Sequence, residues 1–401
     1  MKYRKMGSLP WKVSALGFGC MRLPTSGLFR RVNEKYTTDI LRYGIDRGIN
    51  YLDTAWFYHL GQSETVVGKA LQDGYREKVH LVTKLPMVMV TKEQDFDKFL
   101  NQQLERLHTD YLDIYLFHML NQEQFEKMKK LDLISKMENA RRLGKIKHIG
   151  FSFHDTLPVF RTIIDYYPWD MTQIQYNYMD TAVQATTEGL QYAYEKGIAV
   201  VVMEPLKGGQ LANPPKEARS VIDRAPVSRT PVDWALQFLW NRPEVSCVLS
   251  GMGSRKMVED NCSSADVSGV DSLSGEENRV IEELAEMYRK NIIVSCTACH
   301  YCMPCPFGVD IAQNFALLNN KSFSSKGNFS ARIIQWLVTR NYKRLAKNAK
   351  QLELKKNKGR ASLCTKCGAC VKKCPQQIQI PEELEKVVAV FEKNRSIDSL
   401  S

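Results

Sequence analysis

Short apolar runs alternate with longer amphipathic segments through about the first 265 residues of the chain. The runs are strand-sized and rich in β-branched residues: ALGFG, NYLD, KVHLVTK, YLDIYLFH, IKHIGFS, MTQIQ, IAVVVM and SCVLSGM. Between them lie segments with helical spacing: TTDILRYGIDRG (Thr37 to Gly48), SETVVGKALQDG, Asp95 to Leu107, Leu131 to Leu143, LPVFRTIIDYY, TEGLQYAYEKG, TPVDWALQFLWNRP and RKMVEDNCS. Runs of this length flanked by glycine read as buried parallel strands, and the intervening period as helices packed on them. A hairpin from Tyr3 to Lys12 precedes the first unit. About eight strand–helix units predict an α/β fold closed into a (β/α)8 TIM barrel, in preference to a doubly wound open sheet. GFGCMRL lacks the GxGxxG turn of the dinucleotide-binding sheet, which points the same way.

The rhythm stops at SSADVSGVDSLSGEEN, a Ser-, Asp- and Gly-rich transition before the helix EENRVIEELAEMYRKN. The division expected is a barrel over residues 1–275 and a second, mainly helical domain over 276–401. With 44% hydrophobic and 25% charged residues, the composition excludes a mostly disordered chain. The N-terminus shows no secretory pattern and no apolar run is long enough for a membrane span, so a cytoplasmic protein is expected. In that setting the 11 cysteines point to metal binding or catalysis and not to disulfides. Cys20, Cys247 and Cys262 are isolated and read as packing residues; the other eight fall in two groups of four.

A parallel barrel gathers its chemistry at the C-terminal ends of its strands. Those ends carry Asp53, Lys84 and His118, and Tyr58 lies in the loop after Asp53. Each has a plain alternative: a helix cap, a solvated lysine, a packed tyrosine, a buried histidine bonded to a carbonyl. Together they suit carbonyl reduction. A phenol with a reference pKa of about 10 donates a proton poorly at neutral pH unless its phenolate is stabilised. A lysine beside it does that, an aspartate holds the lysine, and a histidine orients the substrate oxygen.

The stretch GINYLDTAWFYHLGQSETVVGKAL, followed by VHLVTK, YLDIYLFH, GFSFH, TQIQYN, EPLKGG and SGMGSRKMVEDN, closely resembles the aldo-keto reductase family over about residues 1–265. The resemblance implies an NAD(P)H-dependent oxidoreductase acting on a small carbonyl or alcohol. It makes Tyr58 the proton donor, Lys84 its tuner, Asp53 the group orienting Lys84, and His118 the group positioning the carbonyl. It also implies that Ser152 and Gln173 hold the nicotinamide carboxamide and that Met203 packs on the ring, where a tyrosine often stacks. Ser152 as a strand-end cap and Gln173 as a polar core residue are the alternatives. Phe153 stands where many members carry an amide. Gly251 and Met257 occupy positions where basic residues often meet the 2′-phosphate of NADP. Arg255 and Lys256 lie nearby, which leaves both cofactors open with a lean to NADH. Asp260 and Asn261 match the adenine-end contacts.

The cysteine groups are CTACHYCMPCP, with Cys296, Cys299, Cys302 and Cys305, and CTKCGACVKKCP, with Cys364, Cys367, Cys370 and Cys374. The second has the ferredoxin spacing and the first is one residue tighter before its CP. A zinc site tolerates such gaps, but proline after the fourth cysteine favours two [4Fe–4S] clusters. The module resembles an α-helical ferredoxin, which implies crossed ligand sets: Cys296, Cys299 and Cys302 with Cys374, and Cys364, Cys367 and Cys370 with Cys305. Electron transfer, redox sensing and a structural role all suit such clusters. A flavin in the barrel mouth, bound without a sequence signature, stays open as a further cofactor.

The formal charge is +12, much of it between Lys321 and Arg360, including Lys343, Arg344, Lys347 and Lys350. A solvated face explains this, and so does an acidic redox partner such as a ferredoxin or flavodoxin. No nucleic-acid module surrounds these residues, and neither nucleic acid nor membrane is expected as a partner.

Overall fold

The computed structural model describes residues 1–27, 31–323, 341–342 and 359–400. The described chain forms two compact units. One comprises Met1–Leu206 with Arg229–Ile281; the other comprises Lys207–Ser228 with Glu282–Ser401.

The first unit is a closed barrel of eight parallel strands. In chain order these are β3 (Leu16–Gly19), β4 (Tyr51–Asp53), β5 (His80–Leu85), β6 (Leu112–Leu120), β7 (Ile146–Phe153), β8 (Met171–Gln175), β9 (Ala199–Met203) and β10 (Val245–Ser250). Each pairs with the next, and β10 closes on β3 through Val248–Leu16 and Ser250–Phe18. The hairpin is present as β1 (Tyr3–Lys5) and β2 (Lys12–Ser14), paired antiparallel. Met6 and Val13 join Tyr51, Val82, Met171 and Ala199 in one buried cluster, so the hairpin plugs the N-terminal end of the barrel. The opposite end is left for chemistry.

The helices wrap the sheet: α1 (Glu34–Asp46), α2 (Gln62–Ala70), α3 (Gln94–Leu107), α4 (Gln122–Lys130), α5 (Leu133–Arg142), α6 (Leu157–Tyr166) and α7 (Thr186–Glu195) come first. Their apolar stripes (Phe96, Leu100, Leu104 and Leu107 on α3, for example) are buried against the outer face of the strands. LNQEQFEKMKK, which reads as a connecting loop, folds mainly as α4. Asn121 caps it by accepting from the Gln124 backbone N–H, and Phe125 and Met128 anchor it.

The segment after β9 carries α8 (Lys216–Asp223) and belongs to the second unit. Gly208, at φ +69°, lies so close to the backbone of Thr297 that a side chain there would clash with the Thr297 carbonyl. The chain re-enters the barrel as α9 (Pro231–Trp240) and, after β10, α10 (Arg255–Asp266). Next comes α11 (Gly275–Asn291), and the second unit continues with α12 (Ile311–Phe323) and α13 (Ile380–Phe391). Its core joins Val309, Ile311, Phe315 and Leu318 to Leu384, Val387 and Val390, with several of the eight grouped cysteines packed at its edge. The basic stretch with Lys343, Arg344, Lys347 and Lys350 lies outside the described residues. Among the described residues no helix is long and apolar enough to cross a membrane.

Candidate active site and cluster sites

Asp53 ends β4, Lys84 lies near the end of β5 and His118 near the end of β6, so parallel pairing delivers all three to one rim. Tyr58 reaches the same place from a tight turn in which His59 and Leu60 both adopt left-handed backbone, at φ 51° and 56°. The side chains of Asp53, Lys84, His118 and Tyr58 are all buried. The Lys84 ammonium donates to both Asp53 carboxylate oxygens at 2.7 Å and to the Thr54 carbonyl at 2.9 Å, and stands 3.4 Å from the Tyr58 hydroxyl. Three ammonium protons thus serve four oxygens, and the phenol holds the longest contact. The His118 ring meets the Tyr58 ring edge-on, centroids 6.1 Å apart.

Burial opposes charge on both members of the Asp53–Lys84 pair, raising the carboxyl and lowering the ammonium, while their mutual attraction works against each shift. Burial, aided by the Lys84 charge, drives the His118 imidazole well below its usual range, so it is neutral at physiological pH. A network absent from the sequence reading supports Lys84 from behind. Glu64, fully buried, accepts from Thr83 Oγ1 at 2.7 Å and from Gln103, which also donates to the Lys84 carbonyl at 3.1 Å. Tyr115 fixes Gln103 at 2.7 Å.

Ser152, Gln173 and Met203 lie on three adjacent strands, with Ser152 opposite Gln173 in the β7–β8 register. Ser152 Oγ accepts from the Met119 N–H at 2.8 Å and keeps its own proton to donate. Gln173 Nε2 rests 3.7 Å from Met203 Sδ, while its Oε1 is buried with no partner among the described residues. A donor beside an unsatisfied acceptor fits a carboxamide. Phe153 turns outward onto Phe160, centroids 4.9 Å apart. Gly251 follows β10 directly. On α10, Arg255 stacks on Tyr43 with its guanidinium carbon 4.0 Å from the ring centroid, and exposed Lys256 pairs with Asp260. Asn261 is buried and donates to Ser250 Oγ at 2.9 Å.

In the second unit two cavities divide the grouped cysteines. One is lined by Cys296, Cys299, Cys302 and Cys374; the other by Cys305, Cys364, Cys367 and Cys370, with Cys302 on the wall shared by both. The two loops repeat one backbone shape. Ala298 and His300 in the first, and Lys366 and Gly368 in the second, have positive φ two and four residues beyond the leading cysteine. In both, the N–H two residues on points at that sulfur, Ala298 to Cys296 and Lys366 to Cys364, each at 3.4 Å. Such turns present backbone N–H groups to an anionic centre, as thiolate-ligated iron requires. Among the described residues no three such side chains close on a single metal ion. The donor set, all thiol around an apolar cavity, fits a cluster.

The aldo/keto reductase family model matches residues 15–286. This chain belongs to the aldo/keto reductase family. It is an NAD(P)-dependent oxidoreductase of that family. A second family model, the 4Fe-4S dicluster domain, matches residues 295–379. L-galactose dehydrogenase of Arabidopsis thaliana is 27% identical over 308 residues, covering 70% of the reductase and 93% of the relative. NADH-specific methylglyoxal reductase of Escherichia coli K12 is 27% identical over 282 residues, covering 60% and 84%. Among solved structures, a holo aldo-keto reductase from Bacillus halodurans superposes with a TM-score of 0.60 at 27% identity, covering 71% of the reductase and 96% of that chain. One from Klebsiella pneumoniae, in complex with NADP and acetate, gives 0.58 at 26%, covering 71% and 95%. These matches leave the C-terminal part of the reductase to the dicluster family.

Proposed function

We propose that the reductase interconverts a small aldehyde or ketone and its alcohol, with Tyr58 delivering the proton to the carbonyl oxygen. The observation that carries this reading is the Lys84 ammonium, buried, clamped by Asp53 and 3.4 Å from the Tyr58 hydroxyl. A positive charge there stabilises the phenolate left when Tyr58 gives up its proton. Neutral His118 donates a hydrogen bond to the same substrate oxygen. Ser152 and Gln173 would hold the carboxamide of a nicotinamide that, when bound, supplies the hydride. Met203 would pack on its ring. Gly251, Arg255, Asp260 and Asn261 would line its adenosine end. Arg255 lies stacked on Tyr43 and Lys256 is ion-paired with Asp260, so neither is pre-set as a 2′-phosphate clamp, and the reading leans to NADH.

The proposal extends to domains at 1–275 and 276–401, with two [4Fe–4S] clusters held by crossed ligand sets. The cavity linings support it, pairing Cys374 with the first group and Cys305 with the second. When bound, the clusters carry single electrons. Exposed Cys367 and the exposed cations Lys372, Lys373, Lys393 and Arg395, none paired with a carboxylate among the described residues, favour an acidic electron carrier as the partner at the second cluster. Anaerobic turnover of a carbonyl panel with NADH and NADPH tests the reading. Turnover with a lower KM for NADH supports it, and tight nicotinamide binding without turnover of any carbonyl contradicts it.

A further inference from the structure

At the barrel's C-terminal rim a run of amides ends on a histidine that carbonyl reduction does not use. It starts at Asn177, whose Oδ1 accepts from the backbone N–H groups of Met179 at 2.9 Å and Asp180 at 3.0 Å. Its Nδ2 donates to the Glu204 carbonyl and to Asp180 Oδ2, both at 3.1 Å. Backbone groups cannot exchange donor and acceptor roles, so Asn177 is fixed in this orientation. Asp180 Oδ2 also meets Gln175 Nε2 at 2.9 Å, since the opposite amide orientation would set two oxygens against each other. Gln175 Oε1 is therefore left to accept from Gln184 Nε2 at 3.1 Å. Gln184 Oε1 in turn faces His154 Nδ1 at 3.1 Å.

An amide oxygen only accepts, so Nδ1 must carry the ring proton. Burial holds His154 down to about 4, and the ring is neutral at physiological pH. Its Nε2 is then a bare lone pair with no partner among the described residues, on a ring only half-buried. Asn177, Gln175 and Asp180 are all buried, which locks the relay.

The place of His154 gives that lone pair a use. His154 directly follows β7, whose last residue, Phe153, packs outward on Phe160. The His154 N–H donates to the Leu120 carbonyl at 3.0 Å, two residues beyond His118 on the neighbouring strand.

We propose that His154 is a specificity residue that accepts a hydrogen bond from a hydroxyl next to the substrate's carbonyl, making α-hydroxy aldehydes and ketones the preferred class. Gln184, Gln175 and Asp180 are its positioning residues. The proposal rests on the carbonyl-reduction reading. A lone pair repels carboxylates and second carbonyls, which sets 2-oxo acids and 1,2-dicarbonyls at a disadvantage. A plain alkanal offers no donor and leaves Nε2 desolvated and unpaired.

Two measurements on the anaerobic holo-protein test it. In protein labelled with 15N-histidine, the resonance lost in His154→Phe identifies the ring; protonated Nδ1 and unprotonated Nε2 near neutral pH are expected. The reverse tautomer, or a charged ring, overturns the proposal whatever the activity. In steady state, kcat/KM for glycolaldehyde over acetaldehyde should favour the hydroxyaldehyde by about tenfold, as one net hydrogen bond implies. His154→Phe should bring that ratio near one. Gln184→Leu, which keeps the ring but removes its acceptor, should lower the ratio part of the way. A ratio untouched by His154→Phe overturns the proposal alone. Turnover of other carbonyls in the panel but of neither aldehyde overturns the substrate class alone, and no turnover of any carbonyl overturns the carbonyl reading with it.

Discussion

The ammonium of Lys84 lies 3.4 Å from the phenolic oxygen of Tyr58, from which it is separated by no other group. It reaches that position because Asp53 and the Thr54 carbonyl hold its other protons on one side, and Gln103 grips its own backbone carbonyl from behind. The chemistry assigned to Tyr58 depends on this charge remaining in place.

The first consequence is a pH dependence. Burial lowers the Lys84 pKa and the Asp53 carboxylate opposes that shift. Asp53→Asn removes the opposition, so the ammonium loses its proton at lower pH. The alkaline limb of kcat/KM for carbonyl reduction should move down by about one pH unit or more. A profile superimposable on the wild type would contradict the role given to Asp53.

Two neutral histidines, buried His118 and half-buried His154, set a second expectation, for stability. His118 and His154 have folded pKa values below the ordinary 6.5, His154 at about 4. Below about pH 6.5 the unfolded chain therefore binds protons that the folded chain refuses, and stability falls as pH falls. Each histidine contributes at most about 1.4 kcal/mol per pH unit, and the His154 contribution levels off near its folded value. Urea midpoints of the anaerobic holo-protein should fall between about pH 6.5 and 5, and His154→Phe should make the fall shallower. Equal slopes in the two proteins would show that His154 is not held neutral.

The crossed cysteine sets predict which cluster each substitution removes. Cys374→Ala should abolish the cluster shared with Cys296, Cys299 and Cys302, and Cys305→Ala the one shared with Cys364, Cys367 and Cys370. Each variant should retain about half the iron, with EPR spectra of the reduced proteins that differ from each other. A Cys374→Ala residual spectrum that matches that of Cys364→Ala and not that of Cys296→Ala would contradict the crossing.

Hydride moves two electrons together, whereas each cubane exchanges one, so nicotinamide alone should reduce the clusters poorly. Under anaerobic stopped flow, NADH without flavin should cause little bleaching near about 400 nm, and a flavin, an acidic electron carrier or the true substrate should increase it. Fast bleaching by NADH alone would remove the need for a mediator.

The barrel was legible because its signal is local: β-branched runs and helical spacing recur, and strand ends announce Asp53, Lys84 and His118. Helix α4 was harder to see, since KMKK and QEQ give only Phe125 and Met128 as an apolar face, although Asn121 is a readable cap. Tyr58 is legible only as a residue of the loop after Asp53; its approach depends on two consecutive left-handed residues, His59 and Leu60, that no propensity favours. Neither Glu64 with Gln103 nor the relay to His154 could be read in advance. Each joins residues from separate elements, and its meaning lies in which atom donates. The membership of Lys207–Ser228 in the second unit was equally hidden, because it shows only in contacts between residues distant in sequence, such as Gly208 with Thr297 and Arg224 with Glu283.

The most direct test of Tyr58 as proton donor is Tyr58→Phe, which removes one oxygen and leaves Lys84, Asp53 and His118 in place. Anaerobic steady-state carbonyl reduction should drop by about 10²- to 10⁴-fold in kcat, the range for loss of a general acid, with the Kd for nicotinamide nearly unchanged. Turnover by the variant equal to that of the wild type would contradict the account at its centre.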